Sequence, residues 1–482
     1  MELVHITPEV IGYGSTADIT SSRADLPAMS AELPARLSEL GWNVTIIAAA
    51  APPLSGKGLA KHVTPIRAVT AHHEVECDVF EASMDRAHVR LFLLATEPRP
   101  LVRLDESLTA GLEDRNRQLA WTLDFLAAAK TLVERLAIQP DVLHLHAEAL
   151  AAALLMEPPR QSLVVSIYDP QKEAVFSAKD FVALSEAKRV EDIEPDATAA
   201  QMVIPRSDLL LLPSPGVTFQ VSISKRRLEL KDAIRKHPNV HGVLGGLHMG
   251  RYNAGLDPKL PARFTPEDLS GKQVCRKELQ KRLGLTPRKD SLLAMVTLGQ
   301  IPEDGADTID SVAQALLDRD IQLLIYKPEG AVSAPNLERL ATEHPERVAL
   351  VSGKQIPLTW QFAASDIVLH APHYAPWGRF VQLGMCFGAI PVARGTGGID
   401  DLVVDFDPET KTGGGFKYRR ESTDELLRAL DRARELFADQ ATWQTMIRRN
   451  MQAVIPWERT TAQVDALYQS LSEESLPLVK SV

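Results

Sequence analysis

Short apolar segments alternate with longer amphipathic stretches along the chain, and this alternation predicts parallel α/β sheets. In the first half, the apolar segments are residues 3–6, 44–47, 142–145, 163–167 and 209–212. In the second half, they are residues 292–296, 321–325, 348–351, 367–369 and 390–393. Sequence with helical periodicity, such as residues 308–317, separates these segments. Two series of this kind predict two doubly wound domains in tandem.

A stretch rich in glycine, proline and charge separates the two series, at residues 242–272. Because it lacks clear periodicity, we place the domain boundary there and predict domains at 1–250 and 251–455. The tail from 424 to 471 is helical in pattern but is interrupted at Pro456, where proline should end or kink a helix. Residues 456–482 are therefore a separate C-terminal helical segment.

Composition narrows the class of protein. The chain has 482 residues, of which 45% are hydrophobic, so it can bury two cores. Its net charge of −10 and few aromatic residues argue against a nucleic-acid partner. The three cysteines, Cys77, Cys275 and Cys386, are far apart and odd in number, which favours buried thiols in a reducing cytoplasm. We expect neither a signal peptide nor a membrane span.

A glycine turn follows the last apolar segment of the second series. Thr396, Gly397 and Gly398 could present backbone N–H groups closely to an anion such as a diphosphate. An ordinary loop is the alternative. His144 and His146 alternate on a predicted strand and share one face, so they could face a ligand or simply pack. Without a third clustered ligand, we expect no metal and no cofactor.

Further landmarks occur in a recognisable order. In the first half they are Pro8-Glu9-Val10, Leu33-Pro34, Leu40-Gly41 and residues 140–146. In the second half they are residues 365–369, Pro376, Gly378, residues 387–392, Thr396-Gly397-Gly398, residues 413–416 and Trp457-Glu458. Over nearly the whole chain, their order and spacing resemble the bacterial glycogen synthases and plant starch synthases, which are retaining glucosyltransferases of the GT-B type.

The resemblance implies two Rossmann-like domains that face each other across a cleft, with residues 456–482 packing back on the N-terminal domain. It also implies glucosyl transfer from ADP-glucose to an α-1,4-glucan, without a metal. Nucleotide sugar and α-glucan are then the expected ligands, and a protein partner is possible. The Thr396-Gly397-Gly398 turn would lie at the nucleotide cleft.

The positions that would carry the family's charged groups are changed in this chain. Either possible alignment of the family's lysine loop places serine at the lysine position, as Ser15 or Ser22. The family's arginine is replaced by Leu298, its second lysine by Glu303 or Asp304, and its Glu-Pro-Cys-Gly carboxylate by Ala375. These replacements predict a degenerate active site.

Three further sites also differ from the family's polar or acidic residues. Tyr168 and Asp169 stand where the family has His-Asn, Gly245-Gly246-Leu247-His248 replaces Asn-Gly-Val-Asp, and Ala147 replaces the acidic residue after His146. Other side chains allow two interpretations. Trp377 could stack on a sugar or fill the vacated substrate space, and Glu9 could meet sugar hydroxyls or cap a helix. Finally, Lys327 and Arg379 could rebuild a cationic pocket or be solvated surface charges.

Three functions remain open. The leading hypothesis is a pseudoenzyme, in which a GT-B scaffold serves binding or regulation without turning over ADP-glucose. The second is an active glycosyltransferase whose remodelled pocket uses another nucleotide-sugar donor or acceptor. The third is an interaction subunit of a glucan-synthesising complex.

Overall fold

A computed structural model shows two α/β domains. It describes residues 1–8, 10, 25–50, 59–61, 64–70, 74–83, 89–96, 112–156, 158–160, 162–170, 176–185, 197–223, 230–288 and 290–474. Three of the candidate site residues, Glu9, Ser15 and Ser22, lie outside the described residues. Within these ranges, none of the helices is both long enough and apolar enough to cross a membrane. The three cysteines are buried free thiols.

Strands and helices alternate along the N-terminal domain. Its strands are β1 (Glu2–Thr7), β2 (Asn43–Ala49), β3 (Leu59–Lys61), β4 (Ile66–Val69), β5 (Glu74–Ser83), β6 (Val89–Thr96), β7 (Val142–His146), β8 (Ser162–Ser166), β9 (Leu209–Leu212) and β10 (Val240–Gly242). Its helices are α1 (Asp25–Glu39), α2 (Leu112–Arg135), α3 (Ala178–Ser185), α4 (Ala199–Val203), α5 (Pro215–Ile223) and α6 (Lys231–Lys236). Short 3-10 helices cover Ala147–Leu154 and Ile204–Arg206.

These strands form one sheet in the order β10-β9-β8-β7-β1-β2-β6-β5-β3, with β4 also paired to β5. The strands from β10 to β6 are parallel, and β3 to β6 form an antiparallel edge. Chain order reverses between β1 and β7. In open α/β sheets such a switch point lies beside the ligand-binding crevice.

The C-terminal domain repeats this design. Its strands are β11 (Leu293–Thr297), β12 (Gln322–Tyr326), β13 (Val348–Val351), β14 (Ile367–His370), β15 (Ile390–Arg394) and β16 (Phe416–Tyr418). The helices are α7 (Ser270–Leu283), α8 (Ala306–Ser311), α9 (Ala313–Asp318), α10 (Pro335–Glu343), α11 (Leu358–Ala364), α12 (Arg379–Cys386), α13 (Gly398–Leu402), α14 (Thr423–Phe437), α15 (Gln440–Ala453) and α16 (Trp457–Glu474), with a 3-10 turn at Pro302–Asp304.

All strand pairs in this second sheet are parallel, in the order β13-β12-β11-β14-β15-β16. Its switch point lies between β11 and β14. Both faces of each sheet are covered. Neighbouring residues along a strand point to opposite faces, and the buried ones belong to different hydrophobic clusters. The predicted α/β architecture with two parallel-sheet domains is therefore confirmed.

The final helix packs on the N-terminal domain. Helix α15 ends before Pro456, and α16 begins at Trp457. The side chains of Trp457, Val464 and Tyr468 are buried in the hydrophobic cluster that contains residues of β1, β2 and α1. The indole N–H of Trp42 donates to the Asp465 carboxylate at 2.7 Å. Helix α16 therefore follows the C-terminal domain in the chain but packs against the N-terminal domain.

Candidate functional site

The Thr396-Gly397-Gly398 turn lies between β15 and α13, at the junction of the two domains. Its amides are engaged by the protein itself. The Gly397 N–H donates to the side-chain oxygen of Gln220 on α5, at 3.2 Å. The Gly398 N–H donates to the carbonyls of Ala375 and Pro376 at 3.0 and 2.9 Å. Two of the N–H groups that a diphosphate would need are therefore occupied by oxygens from elsewhere in the chain.

Close packing of this turn explains why glycine is needed there. Gly397 has a φ of +53°, and a Cβ at this position would lie 2.2 Å from the Ala375 carbonyl oxygen. A Cβ at Gly398 would lie 2.6 Å from the Pro376 carbonyl oxygen. Residues without a side chain allow this approach of two backbones. Here the approaching group is the Ala375-Pro376 segment.

Trp377 fills the space between the domains. Its side chain is 0% exposed. The indole packs edge-on against Tyr168 of the N-terminal domain, at 6.2 Å between ring centroids, and against Trp457 of α16, at 5.8 Å. A Cβ on Gly245 would lie only 2.1 Å from this indole ring. The tryptophan and the glycine that replaces the family's polar turn are thus complementary in shape.

Arg379 makes a buried ion pair across the same junction. Its Nε lies 3.4 Å from Oδ1 of Asp25 on α1, and the side chains are 5% and 2% exposed. The other oxygen of Asp25 accepts the Trp377 backbone N–H at 3.2 Å. The guanidinium also lies 5.3 Å from the centre of the Trp377 ring. The interpretation of Arg379 as a solvated surface charge is therefore wrong, because the side chain is buried and pairs with an acidic side chain of the other domain.

Burial dominates the ionisation of Asp25. Desolvation raises its pKa from 3.8 to about 7, although Arg379 and the Trp377 N–H lower it and nearby Asp304 raises it. A pKa that is higher in the folded protein means that the folded state holds the proton more tightly than the unfolded chain. The stabilisation from this group is fully present below about pH 3.8 and is lost as the pH rises through about 7.

We expect Asp25→Asn to remove this pH dependence. Between pH 4 and 7, the wild-type free energy of unfolding should fall relative to the variant by up to about 1.4 kcal/mol per pH unit. Urea denaturation of both proteins across this interval measures the difference, and Asp290→Asn provides a control at an exposed aspartate. Parallel pH profiles for wild type and Asp25→Asn would contradict a raised pKa.

Leu298, Glu303 or Asp304, and Ala375 stand where the resemblance places the charged groups of the family, and none of them is a cation. Leu298 is buried in the C-terminal core. The Asp304 carboxylate accepts the backbone N–H of Gln300 at 3.0 Å and so closes its own turn. The Glu303 carbonyl accepts the His373 N–H at 2.9 Å, and Ala375 is buried. The side chains of Leu298 and Ala375 therefore serve packing, and that of Asp304 serves turn formation.

Lys327 also does not supply a charge to the junction. Its Nζ lies 2.7 Å from the Glu338 carboxylate, and both side chains are about two-fifths exposed. This is a surface ion pair, a type that contributes at most about 1 kcal/mol. Of the two candidate compensating cations, Arg379 is therefore paired with Asp25 in the protein interior, and Lys327 is paired with Glu338 at the surface.

His144, His146 and Tyr168 of the predicted acceptor side come together on the N-terminal domain, and a third histidine joins them. His5 on β1 lies directly opposite His144 on β7 in the strand register, and His146 follows two residues later. His5 Nδ1 and His146 Nε2 are 2.8 Å apart. The premise that no third ligand clusters with the two histidines is therefore wrong, because β1 and β7 are neighbours in space.

Each of these histidines is fully buried. Burial lowers the pKa of His5 to about 3 and lowers the pKa values of His144 and His146 well below the usual 6.5. All three rings are therefore neutral at physiological pH. Tyr168 bonds to His146 Nδ1 through its hydroxyl, at 3.0 Å, and Asp169 is half-buried at the end of β8.

A surface depression of about 750 Å³ lies on the C-terminal domain beside β16 and α14. Five basic side chains line it, but carboxylates neutralise most of them. Lys417 and Arg419 both pair with Asp400, and Arg432 pairs with Asp405. The depression adjoins the glycine turn, because the backbone N–H of its lining residue Asp400 donates to the Gly397 carbonyl at 3.2 Å.

Sequence reasoning missed the partners that come from the opposite domain or from distant strands. They are His5, Asp25, Gln220 and Tyr468. The position of His5 could have been predicted from the sequence, because the strand order of a doubly wound sheet allows β1 and β7 to be neighbours at the switch point. Asp25 and Arg379 are 354 residues apart, and neither the spacing nor the periodicity of the chain indicates such a pair.

Solved structures with the same architecture identify the class of fold. The structure superposes on the catalytic domain of starch synthase IV from Arabidopsis thaliana, solved with ADP and acarbose, with a TM-score of 0.81 and 19% identity. That match covers 98% of this chain and 99% of the other. Sucrose-phosphate synthase from Thermosynechococcus elongatus matches with a TM-score of 0.62 and 16% identity, covering 98% and 100%. The fold is that of the GT-B glycosyltransferases.

Sequence relatives then narrow the group. The glycogen synthase of Anaeromyxobacter dehalogenans is 34% identical over 269 residues, which are 55% of this chain and 56% of that protein. That of Bacillus cereus strain B4264 is 26% identical over 367 residues, covering 72% and 77%. The chain spans about half the length of the Anaeromyxobacter relatives that it matches. No family model matches the sequence. The chain therefore has the GT-B fold and is similar in sequence to bacterial glycogen synthases.

Proposed function

We propose that this chain is a non-catalytic homologue of the glycogen and starch synthases, which uses the GT-B scaffold for binding or regulation. The observation that carries the proposal is the closed donor site. Gln220, Ala375 and Pro376 occupy the amides of Gly397 and Gly398, and Trp377 fills the adjoining space. A nucleoside diphosphate sugar would have to displace these groups in order to bind there.

Electrostatics supports the same conclusion. Transfer of glucose from a nucleoside diphosphate leaves negative charge on the diphosphate and positive charge on the sugar, and an enzyme must stabilise both. Loss of one preorganised contact costs roughly 10²- to 10³-fold in rate, or about 3 to 4 kcal/mol. Here Leu298 and the Glu303-Asp304 turn replace two cationic positions, and Ala375 replaces a carboxylate. Arg379 is buried against Asp25, whose carboxylate pairs with it at pH values above about 7.

We expect no elongation of α-glucan from ADP-glucose or UDP-glucose above background. Labelled donor and maltooligosaccharide acceptors measure turnover, with an active glycogen synthase as the positive control. In parallel, millimolar nucleotide sugar should leave the melting temperature unchanged, since a ligand that binds only the folded state must raise it. Glucan synthesis at an ordinary enzyme rate, abolished by Gly397→Ala, would overturn the proposal.

A non-catalytic homologue could bind either an α-glucan or another protein, and two measurements distinguish these ligands. A shift in melting temperature with maltooligosaccharides but not with nucleotide sugars would identify an α-glucan-binding homologue. Co-purification of a glucan-synthesising enzyme would identify an interaction subunit. A remodelled, active transferase would instead require a nucleotide sugar that both binds and turns over. The cytoplasm is the compartment that we propose, because the three cysteines are buried free thiols.

A further inference from the structure

Three histidines converge at the switch point of the N-terminal sheet, and the function proposed above does not use them. His144 and His146 alternate on β7 and therefore point to the same face, and His5 lies opposite His144 on neighbouring β1. One nitrogen from each ring lies within 4.8 Å of the others. All three side chains are 0% exposed. Neighbouring strands thus hold three imidazoles in a fixed, enclosed arrangement.

The hydrogen bonds around these rings have the pattern of a metal site's outer shell. Histidine that binds a metal through one nitrogen usually bonds a protein oxygen through the other. His146 Nδ1 lies 3.0 Å from the Tyr168 hydroxyl, and His144 Nε2 lies 2.7 Å from the Ser166 hydroxyl. The second nitrogen of His146, Nε2, faces His5 Nδ1 at 2.8 Å, and that of His144, Nδ1, faces Tyr468, so an ion bound there would replace these two hydrogen bonds. The Tyr468 hydroxyl of α16 lies 2.6 Å from His144 Nδ1 and closes a fourth side.

One polar atom of the cluster is left unsatisfied. His5 Nε2 is buried and has no hydrogen-bond partner among the described residues. Buried polar atoms without partners are rare in proteins and cost about 1 to 3 kcal/mol. Three neutral nitrogens with one orphan suit a cation that accepts imidazole ligands better than they suit an apolar core.

We propose that His5, His144 and His146 bind a transition-metal ion, with zinc as the expected one, and that Tyr468 adjoins it. Zinc takes three histidines and a fourth ligand at about 2.0 to 2.1 Å, which places nitrogens about 3.4 Å apart. The triad contracts by about 1.4 Å at its widest, from 4.8 Å, to reach this geometry. Because Tyr468 belongs to α16, the ion would also fasten the final helix to the N-terminal sheet.

The test begins with the full-length protein, freed of any affinity tag and expressed in zinc-supplemented medium. Elemental analysis should find about one zinc per chain after dialysis. Metal-free protein titrated with Co²⁺ should develop visible absorption bands of the strength that tetrahedral coordination produces. Less than about a tenth of an equivalent of metal, together with no Co²⁺ bands, would overturn the proposal and leave a purely hydrogen-bonded cluster.

Variants separate this site from adventitious binding. His5→Gln and His146→Gln should each weaken metal binding by more than the roughly 10- to 100-fold that follows loss of an outer-shell partner. Tyr468→Phe should weaken it within that range and also keeps the fold testable if a histidine variant is insoluble. His370→Gln changes a buried histidine of the C-terminal domain and should leave affinity unchanged. Equal affinity in wild type, His5→Gln and His146→Gln would refute the assignment.

Discussion

Replacing Trp377 with alanine is expected to lower the free energy of unfolding by about 3 to 5 kcal/mol. The indole is fully buried and packs against Tyr168, Trp457 and the backbone of Gly245, so alanine leaves a large cavity between the domains. Because these contacts link the two domains, we also expect the radius of gyration to increase. Chemical denaturation and small-angle X-ray scattering measure the two effects.

Two control variants separate loss of the interdomain contact from loss of volume alone. Trp443 is as deeply buried, but it packs against Phe416 and Phe437 within the C-terminal domain. Trp443→Ala should destabilise the protein without a change in its radius of gyration. Trp377→Phe retains most of the packing and removes an indole N–H that has no partner among the described residues, so it should cost less than about 1.5 kcal/mol. Unchanged compactness in Trp377→Ala would show that this residue does not hold the domains together.

Ten of the thirteen strands that pair in parallel in the described part of the chain could be predicted because they are buried apolar segments, whereas β6, β10 and β16 were missed. β9 is four consecutive leucines, Leu209–Leu212, and such continuous apolar runs stand out in the sequence. The antiparallel edge was missed for the opposite reason. In β5, Val75, Cys77 and Val79 are buried and the residues between them are polar, so apolar and polar residues alternate. That period-2 pattern is typical of a strand covered on one face, and a search for continuous runs does not detect it.

The replacement of charged residues at the proposed donor site could also be inferred from the sequence alone. The groups that fill the site could not. Gln220 reaches Gly397 from the other domain, and Asp25 meets Arg379 only because two separate domains pack together. Local propensity and periodicity report which face of an element is buried, but they do not report which distant side chain meets it. A charged residue next to a degenerate motif therefore suggested a surface position for Arg379.

Arg379→Met is expected to cost about 3 to 5 kcal/mol at a pH well above 7, because it removes the cation beside a buried carboxylate. Both side chains of the Asp25–Arg379 pair are almost completely excluded from solvent. Without the guanidinium, the pKa of Asp25 should rise beyond its present value of about 7. The carboxyl group then takes up a proton as the pH falls, so the cost of the substitution should be smaller at pH 6 than at pH 8.5. Denaturation curves of wild type and variant at these two pH values measure the difference.

A double substitution tests whether the penalty comes from the unpaired charge. Asp25→Asn in the Arg379→Met background keeps an oxygen that can accept the Trp377 N–H but removes the charge. It should recover most of the stability at pH 8.5, because replacing both members of a buried pair costs much less than removing one. If the double variant is no more stable than Arg379→Met, the loss comes from packing of the arginine stem against Trp377. In that case the ion pair would not be what holds α1 against the C-terminal domain, and closure of the donor site would rest on Trp377 and the glycine turn.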